Sequence, residues 1–325
     1  MTTLITGAGI IGCHTARLLA ERGEDSLLID RSPATEAIES IVRDPLVRVL
    51  AADVTHFDAL QDIAREHKVR RVVHTAALLS TAIRKDPLAG IHVNVMGSAN
   101  VLELARQMAL ERVVIASSAT VAYAILGEYR GAAVPEDFAM HALTHRPASI
   151  YVATKVAAEH LTLLYRDLYG VSTVALRYAA VIGAWSGPGT SVPTQVMRAL
   201  IDPARSGVEA AIADPYLSWS GGEDFIDARD CAHANVCALD AQQPVQGVYN
   251  IGLGQLSSFD DFADAVRTLY PDLRVRLAQP ALGGFAGFPH VRTAAPDISA
   301  AARELDWAPR YSLAESVRHF APLMG

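Results

Sequence analysis

The chain is short of cysteine and of positive charge, and it has no long apolar run. Its three cysteines, Cys13, Cys231 and Cys237, are an odd number among 325 residues. They form no Cys-x-x-Cys pair and no Cys/His spacing of a zinc site, so neither a disulfide framework nor a bound metal is expected, and a reducing cytoplasm is. Lysine and arginine total 28 against 35 aspartates and glutamates, a formal net charge of −7. Phosphate-rich surfaces are bound by clustered, surplus cations, so the expected partner is a small molecule, with no nucleic acid and no membrane. No stretch of eighteen apolar residues occurs, and no basic segment precedes an apolar one near the start, so neither spanning nor export is expected.

What is present is a regular alternation. The apolar runs TLIT, SLLID, VRVLAAD, RVVHTAA, RVVIASS and STVALRY are separated by helical patterns over 10–22, 57–67, 88–108 and 149–169. Strands apolar on both faces, alternating with helices, predict an α/β protein with a doubly wound parallel sheet. Residues 1–178 are the expected dinucleotide-binding (Rossmann) domain, rejoined by about 223–252. The region 179–325, richer in Pro and Gly at its start, is expected to be mainly a smaller substrate-binding region. No internal repeat or low-complexity tract interrupts it.

The first strand runs straight into Gly7, Gly9 and Gly12, the spacing G-x-G-x-x-G. In a strand-turn-helix setting Gly7 makes the tight turn, Gly9 lets the backbone approach a pyrophosphate, and Gly12 lets the helix pack closely, its N-terminus facing the phosphates. Ile10 and Ile11, between the last two glycines, belong to the same contact. Asp30 closes the second strand eighteen residues after Gly12, where an acid binds the adenosine ribose hydroxyls and repels a 2′-phosphate, so NAD is expected. Arg31 beside it is a further contact and would suit the phosphorylated cofactor. Asp53 either contacts adenine or caps its own turn; Val54 follows it, and Ala76 and Ala77 end the HTAA segment.

Tyr151 and Lys155 stand four apart in IYVATK, on one face of a helix. A tyrosine of ordinary pKa, about 10, is a poor base at neutral pH, whereas a neighbouring ammonium stabilises the phenolate and lowers that pKa. Ser118 ends the strand RVVIASS at the carboxyl edge of the sheet, where open α/β folds place their ligands, and its hydroxyl can bond the oxygen that Tyr151 protonates.

These residues resemble the extended short-chain dehydrogenases/reductases, the NAD-dependent epimerase/dehydratase family. The likeness covers nearly the whole chain and rests on TGAGIIG, Asp30, HTAA, HVNVMGSANVLELA, SSAT, Y-V-A-T-K, LRYAAVIG, DFIDARDCA, YNIG and DISAAARELDWAP. It implies a catalytic set of Ser118, Tyr151 and Lys155, with Lys155 also holding the nicotinamide ribose, Asn94 supporting the network, and Thr120 beside the serine on the substrate side. Family members commonly pair through two helices, which implies a homodimer through 88–108 and 149–169.

The chain departs from the family in three places. The opening loop is one residue shorter than the usual G-x-x-G-x-x-G, and SSATVAYA carries an extra residue before Tyr123. Where members acting on nucleotide sugars usually carry an asparagine after L-R-x and an arginine before Asp-Phe, this chain has Ala180 and Glu223. A carboxylate near an anion is repulsive, which argues against a nucleotide sugar. Trp185, Arg198, Arg205 and Trp219 remain to bind another ligand, although such tryptophans often pack a core. HTAALLSTAIRKDP and TKVAAEHLTLLYRDLYGV also look like the threonine-dehydrogenase branch, with Ser80 and Thr81 as substrate contacts. The expected activity is NAD-dependent hydride transfer to or from a small polar secondary alcohol or ketone, hydroxy-acid-like or a sugar derivative. The alternatives are a sugar-nucleotide epimerase or dehydratase that keeps its NAD bound, and a dinucleotide sensor without catalysis.

Overall fold

Apolar residues fill both faces of 69–74, 112–118 and 173–178, and almost every residue there is buried, so these strands have no side to give to water. The computed structural model, which describes residues 1–324 apart from Leu282, places them inside a seven-stranded sheet. Its strands are β1 (Thr2–Thr6), β2 (Ser26–Asp30), β3 (Val47–Ala51), β4 (Val69–His74), β5 (Arg112–Ser118) and, past the short β6 (Ala133–Val134), β7 (Thr173–Tyr178). After them come β8 (Ala180–Ile182), β9 (Ala210–Ile212), β10 (Phe225–Asp227), β11 (Val248–Ile251), β12 (Val275–Leu277) and β13 (Ala295–Pro296). The sheet order is β11-β7-β5-β4-β1-β2-β3, parallel throughout. The strand order reverses between β1 and β4, which opens a crevice at their carboxyl ends.

The helices are α1 (Ile10–Glu21), α2 (Thr35–Glu39), α3 (Phe57–Glu66), α4 (Ser80–Lys85), α5 (Pro87–Ile91), α6 (Gly97–Met108), α7 (Ile150–Tyr169), α8 (Val192–Arg205), α9 (Ala228–Asp240), α10 (Phe259–Arg267), α11 (Ser299–Leu305) and α12 (Leu313–Phe320). One face of the sheet is covered by α1, α9 and α11 through Cys13, Leu19, Ala234 and Leu305, and the other by α3 and α6 through Leu60, Val101 and Leu102. A second apolar centre, built on α8, α10 and α12 around Met197, Phe262 and Phe320, carries the later part of the chain. The doubly wound arrangement is the one expected; β11 pairs with β7 at the edge of the main sheet, while β10 pairs with β8 in a separate two-stranded sheet. No described helix is long and apolar enough to cross a membrane.

The single helix expected over 88–108 is interrupted. His92–Met96 between α5 and α6 forms a π-helical turn, a local widening often found at functional sites.

Candidate active site

The turn from β1 into α1 is made by Gly7 at φ +91°, and a Cβ there would stand 2.5 Å from the backbone nitrogen of Ala76. At Gly12 a Cβ would lie 2.1 Å from the Gly7 carbonyl oxygen, so the helix sits directly on the turn. Gly9 differs. It is the N-cap of α1 with no side-chain cap, and a Cβ there would meet nothing within 4 Å. The missing side chain satisfies no internal contact; it leaves a cradle before the free N–H groups of Ile10 and Ile11, at the positive end of a twelve-residue helix. The shape and the donors fit a dinucleotide's pyrophosphate.

Asp30 stands at the end of β2 and accepts from Ala8 N (3.1 Å) and Ser32 N (2.9 Å), tying the glycine turn to the strand that carries the acid. Arg31 beside it is exposed. Asp53 takes the capping role, accepting from the amide and hydroxyl of Thr55 at 2.9 and 2.8 Å. The Val54 side chain is buried in the core and packs where a side chain on Gly97 would stand, which leaves only its backbone for a ligand.

Beyond the glycine turn a cleft of about 290 Å³ runs from Ile10, Ile11 and Ala77 past Ser118, Tyr151 and Lys155 to Trp185 and Phe288. Helix α7 starts cleanly because Ser149 accepts from Val152 N at 3.3 Å, and it ends at Gly170 in the left-handed region. Tyr151 and Lys155 thus lie on its first turns, against the end of β5. Lys155 Nζ donates to the Ala116 carbonyl at 2.8 Å and lies 5.9 Å from the centre of the Tyr151 ring. Burial brings the ammonium down to about 8. The same burial drives His74 to about 3, and the charge of Lys155 pushes it the same way. His74 is therefore neutral, joining Thr6 (2.6 Å) to Ser98 (3.1 Å) across β1, β4 and α6.

The Tyr151 phenol does not follow the sequence expectation. Burial raises its pKa above the ordinary value, and a hydrogen bond with Ser118 pulls it only part of the way back. The ammonium is turned toward Ala116 rather than the phenol oxygen, so the resting phenol keeps its proton. Ser118 Oγ also accepts from the Thr120 hydroxyl at 2.9 Å.

Asn94 occupies the π-helical turn. Its side chain accepts from Leu78 N (2.8 Å) and donates to Leu78 O (3.1 Å) and Thr154 Oγ1 (3.1 Å). It makes no hydrogen bond to Lys155 or Tyr151; its bonds fix the β4 loop against α7.

Ser80, Thr120 and Trp185 line the cleft. Arg198 does not: it is exposed on α8, whose inward positions are Thr194, Val196, Met197, Leu200 and Ile201, so helical phase turns residue 198 to solvent. Trp219 packs among Phe225, Phe259, Phe262 and Phe285, and Arg205 holds the carbonyls of Ala321 and Met324 at 2.5 Å.

Tyr123 hydrogen-bonds Glu223, and Arg292 lies 3.5 Å from the same carboxylate with its guanidinium 4.9 Å from the centre of the Tyr123 ring. All three are buried. Behind Ser118, Ser117 and Arg177 both donate to the buried carboxylate of Glu159 on α7. At the seam of the two apolar centres, Ile10 packs on both, and a Cβ on Gly183 would stand 2.2 Å from its Cδ1.

Comparison with known proteins agrees with this geometry. UDP-glucuronate 4-epimerase 4 of Arabidopsis thaliana is 25% identical over 98% of this chain and 74% of its own. A putative UDP-glucose 4-epimerase of Methanocaldococcus jannaschii is 27% identical over 82% and 81%. The Thermus thermophilus UDP-glucose 4-epimerase solved as a complex with NAD is 26% identical, with a TM-score of 0.77 over 100% of this chain and 99% of that one. A GalE-like L-threonine dehydrogenase from Cupriavidus necator, 24% identical over 100% of both chains with a TM-score of 0.80, shares the fold. Residues 3–252 match the NAD dependent epimerase/dehydratase family, so the chain belongs to that family of NAD-using enzymes.

Proposed function

We propose that the chain catalyses hydride transfer between NAD and the carbinol carbon of a small secondary alcohol or its ketone, with Tyr151 exchanging the hydroxyl proton. The convergence of Ser118, Tyr151 and Lys155 on a cleft that begins at the glycine turn carries this reading. When bound, NAD supplies the hydride acceptor or donor. Tyr151, protonated at rest, gives its proton to a ketone oxygen and takes it back from an alcohol. Ser118 bonds the same oxygen where negative charge grows. Lys155, anchored on Ala116, places a cation beside the phenol and stabilises the phenolate left behind. Holding both partners in one cleft contributes about 7–11 kcal/mol through orientation alone.

The test is NADH formation from NAD and a panel of secondary alcohols. Tyr151→Phe should lower kcat by roughly 10²–10⁴ while NAD affinity is retained; unchanged turnover overturns the reading. A second reading follows from the relatives, which are named as UDP-sugar 4-epimerases. Bound NAD that is neither consumed nor formed while a UDP-sugar epimerises would select it.

The protein is further read as a cytoplasmic homodimer. Free thiols at Cys13, Cys231 and Cys237 suit a reducing compartment. Leu88 and Ile91 on α5 and Leu164, Leu168 and Tyr169 on α7 are exposed, an apolar face suited to a second copy.

A further inference from the structure

The far end of the cleft holds charge that is already cancelled. Glu223 is 2% exposed and reaches the cleft beside Tyr123. Its carboxylate accepts from the Tyr123 hydroxyl and from Asp224 N at 3.0 Å, and Arg292 lies 3.5 Å away. Backbone pairing fixes both arms: Glu223 bridges Ser257, and Gly222 bridges Arg292. The guanidinium sits over the Tyr123 ring and does not itself line the cleft, so the phenol ring and the carboxylate stand between it and any ligand.

No other cation takes its place. Among the described residues lining the cleft, Lys155 alone is basic, and its ammonium is bonded to Ala116 O. Helix α8 points its N-terminus at the cleft, a position that would ordinarily attract an anion. There, however, Pro193 has no N–H, and the Thr194 and Gln195 amides are bonded to the side chain and carbonyl of Ser191 at 3.3 and 3.1 Å, which leaves the Val192 amide as the one open donor of the turn. The walls beyond are Val181, Trp185, Phe285 and Phe288. A carboxylate or phosphate carried into this space loses its water and meets neutral donors such as the Ser80 and Thr81 hydroxyls, with no free cation to balance its charge.

Resting on the hydride-transfer reading above, the geometry points to an uncharged substrate, a secondary alcohol or ketone with an apolar body, and assigns Glu223 as the residue that specifies against acids. By balancing Arg292 it withdraws the guanidinium nearest the far end, so hydroxy acids, amino acids and nucleotide sugars are all disfavoured. The hydroxyls of Ser80 and Thr120 serve the neutral oxygens of such a substrate.

The test uses matched pairs on the NAD-loaded protein: a secondary hydroxy acid such as 3-hydroxybutanoate against its methyl ester, with calorimetric binding and NADH formation read separately. The ester should bind at least tenfold more tightly than the acid, and UDP-glucose should not compete with it. Equal or tighter binding of the acid, competition by UDP-glucose, or binding of neither member across a panel of such pairs overturns the proposal. Ester binding without NADH formation leaves it standing and removes the hydride-transfer reading instead. Glu223→Gln, which leaves the buried Asp224 as the remaining acid beside Arg292, should narrow the ester-to-acid ratio at least fivefold. The comparison in the unaltered protein decides the matter whether or not that variant folds.

Discussion

Ser117 Oγ donates to Glu159 Oε2 at 2.8 Å, and this bond ties the end of β5 to the helix that carries Tyr151 and Lys155. The carboxylate also receives Nε of Arg177 at 2.9 Å, while Nη1 of the same arginine reaches Glu136 O at 2.7 Å. Glu159 and Arg177 are both buried, so removing one leaves an unpaired group in the interior. Glu159→Ala should cost about 3–5 kcal/mol in denaturant unfolding and lower kcat through displacement of Ser118. Replacing both partners with Leu and Met should restore much of the stability without restoring kcat; loss of stability below 1 kcal/mol in the single variant would refute the buried pairing.

Gly9 and Gly12 separate two kinds of glycine. Gly9→Ala adds a methyl to open space, so the ligand-free protein should keep its Tm while NAD affinity falls more than tenfold. Gly12→Ala forces a methyl against the Gly7 carbonyl and should lower the Tm of the free protein as well. Thermal unfolding with and without NAD distinguishes them, and an unchanged NAD affinity in Gly9→Ala would remove the cradle assignment.

The protonated phenol and the ammonium have opposite consequences for the two directions. Tyr151 is raised by burial and Lys155 is brought down to about 8. Ketone reduction needs both protonated, so it should be full below about pH 8 and decline as pH rises through that value. Alcohol oxidation needs the phenolate, whose pKa burial raises above its ordinary value of about 10, so it should climb only above that pH. Profiles of kcat/KM in both directions check this; reduction that strengthens above pH 8 contradicts it.

The exposed Leu164 and Leu168 lie four apart on α7, one turn over the other. Their joint change to Glu should convert the dimer to a monomer in light scattering while NAD binding persists. A particle that is monomeric before the change would end that proposal.

Much of this was legible in the chain itself. Strands apolar on both faces, glycines before a helix, and Tyr151 and Lys155 at helical spacing are local patterns, and each is present in the fold. The cooperation of Tyr123 with Glu223 and Arg292 is not local: its members lie 100 and 69 positions apart, and no periodicity links them. The π-helical turn at Asn94 shifts helical phase by about one residue, which leaves composition untouched. Arg198 is turned outward by the phase of its apolar neighbours on α8, which its charge alone does not report. The direction of the phenol's pKa is not legible in the spacing, which reports proximity, whereas burial and the direction of the Lys155 ammonium decide it.

Ile10 joins the glycine turn to the later half of the molecule, and Gly183 gives it room by having no side chain. One methyl group is thus the common wall of two compartments. A dinucleotide seated on the first turn of α1 therefore rests beside the same side chain that packs against the segment following β8.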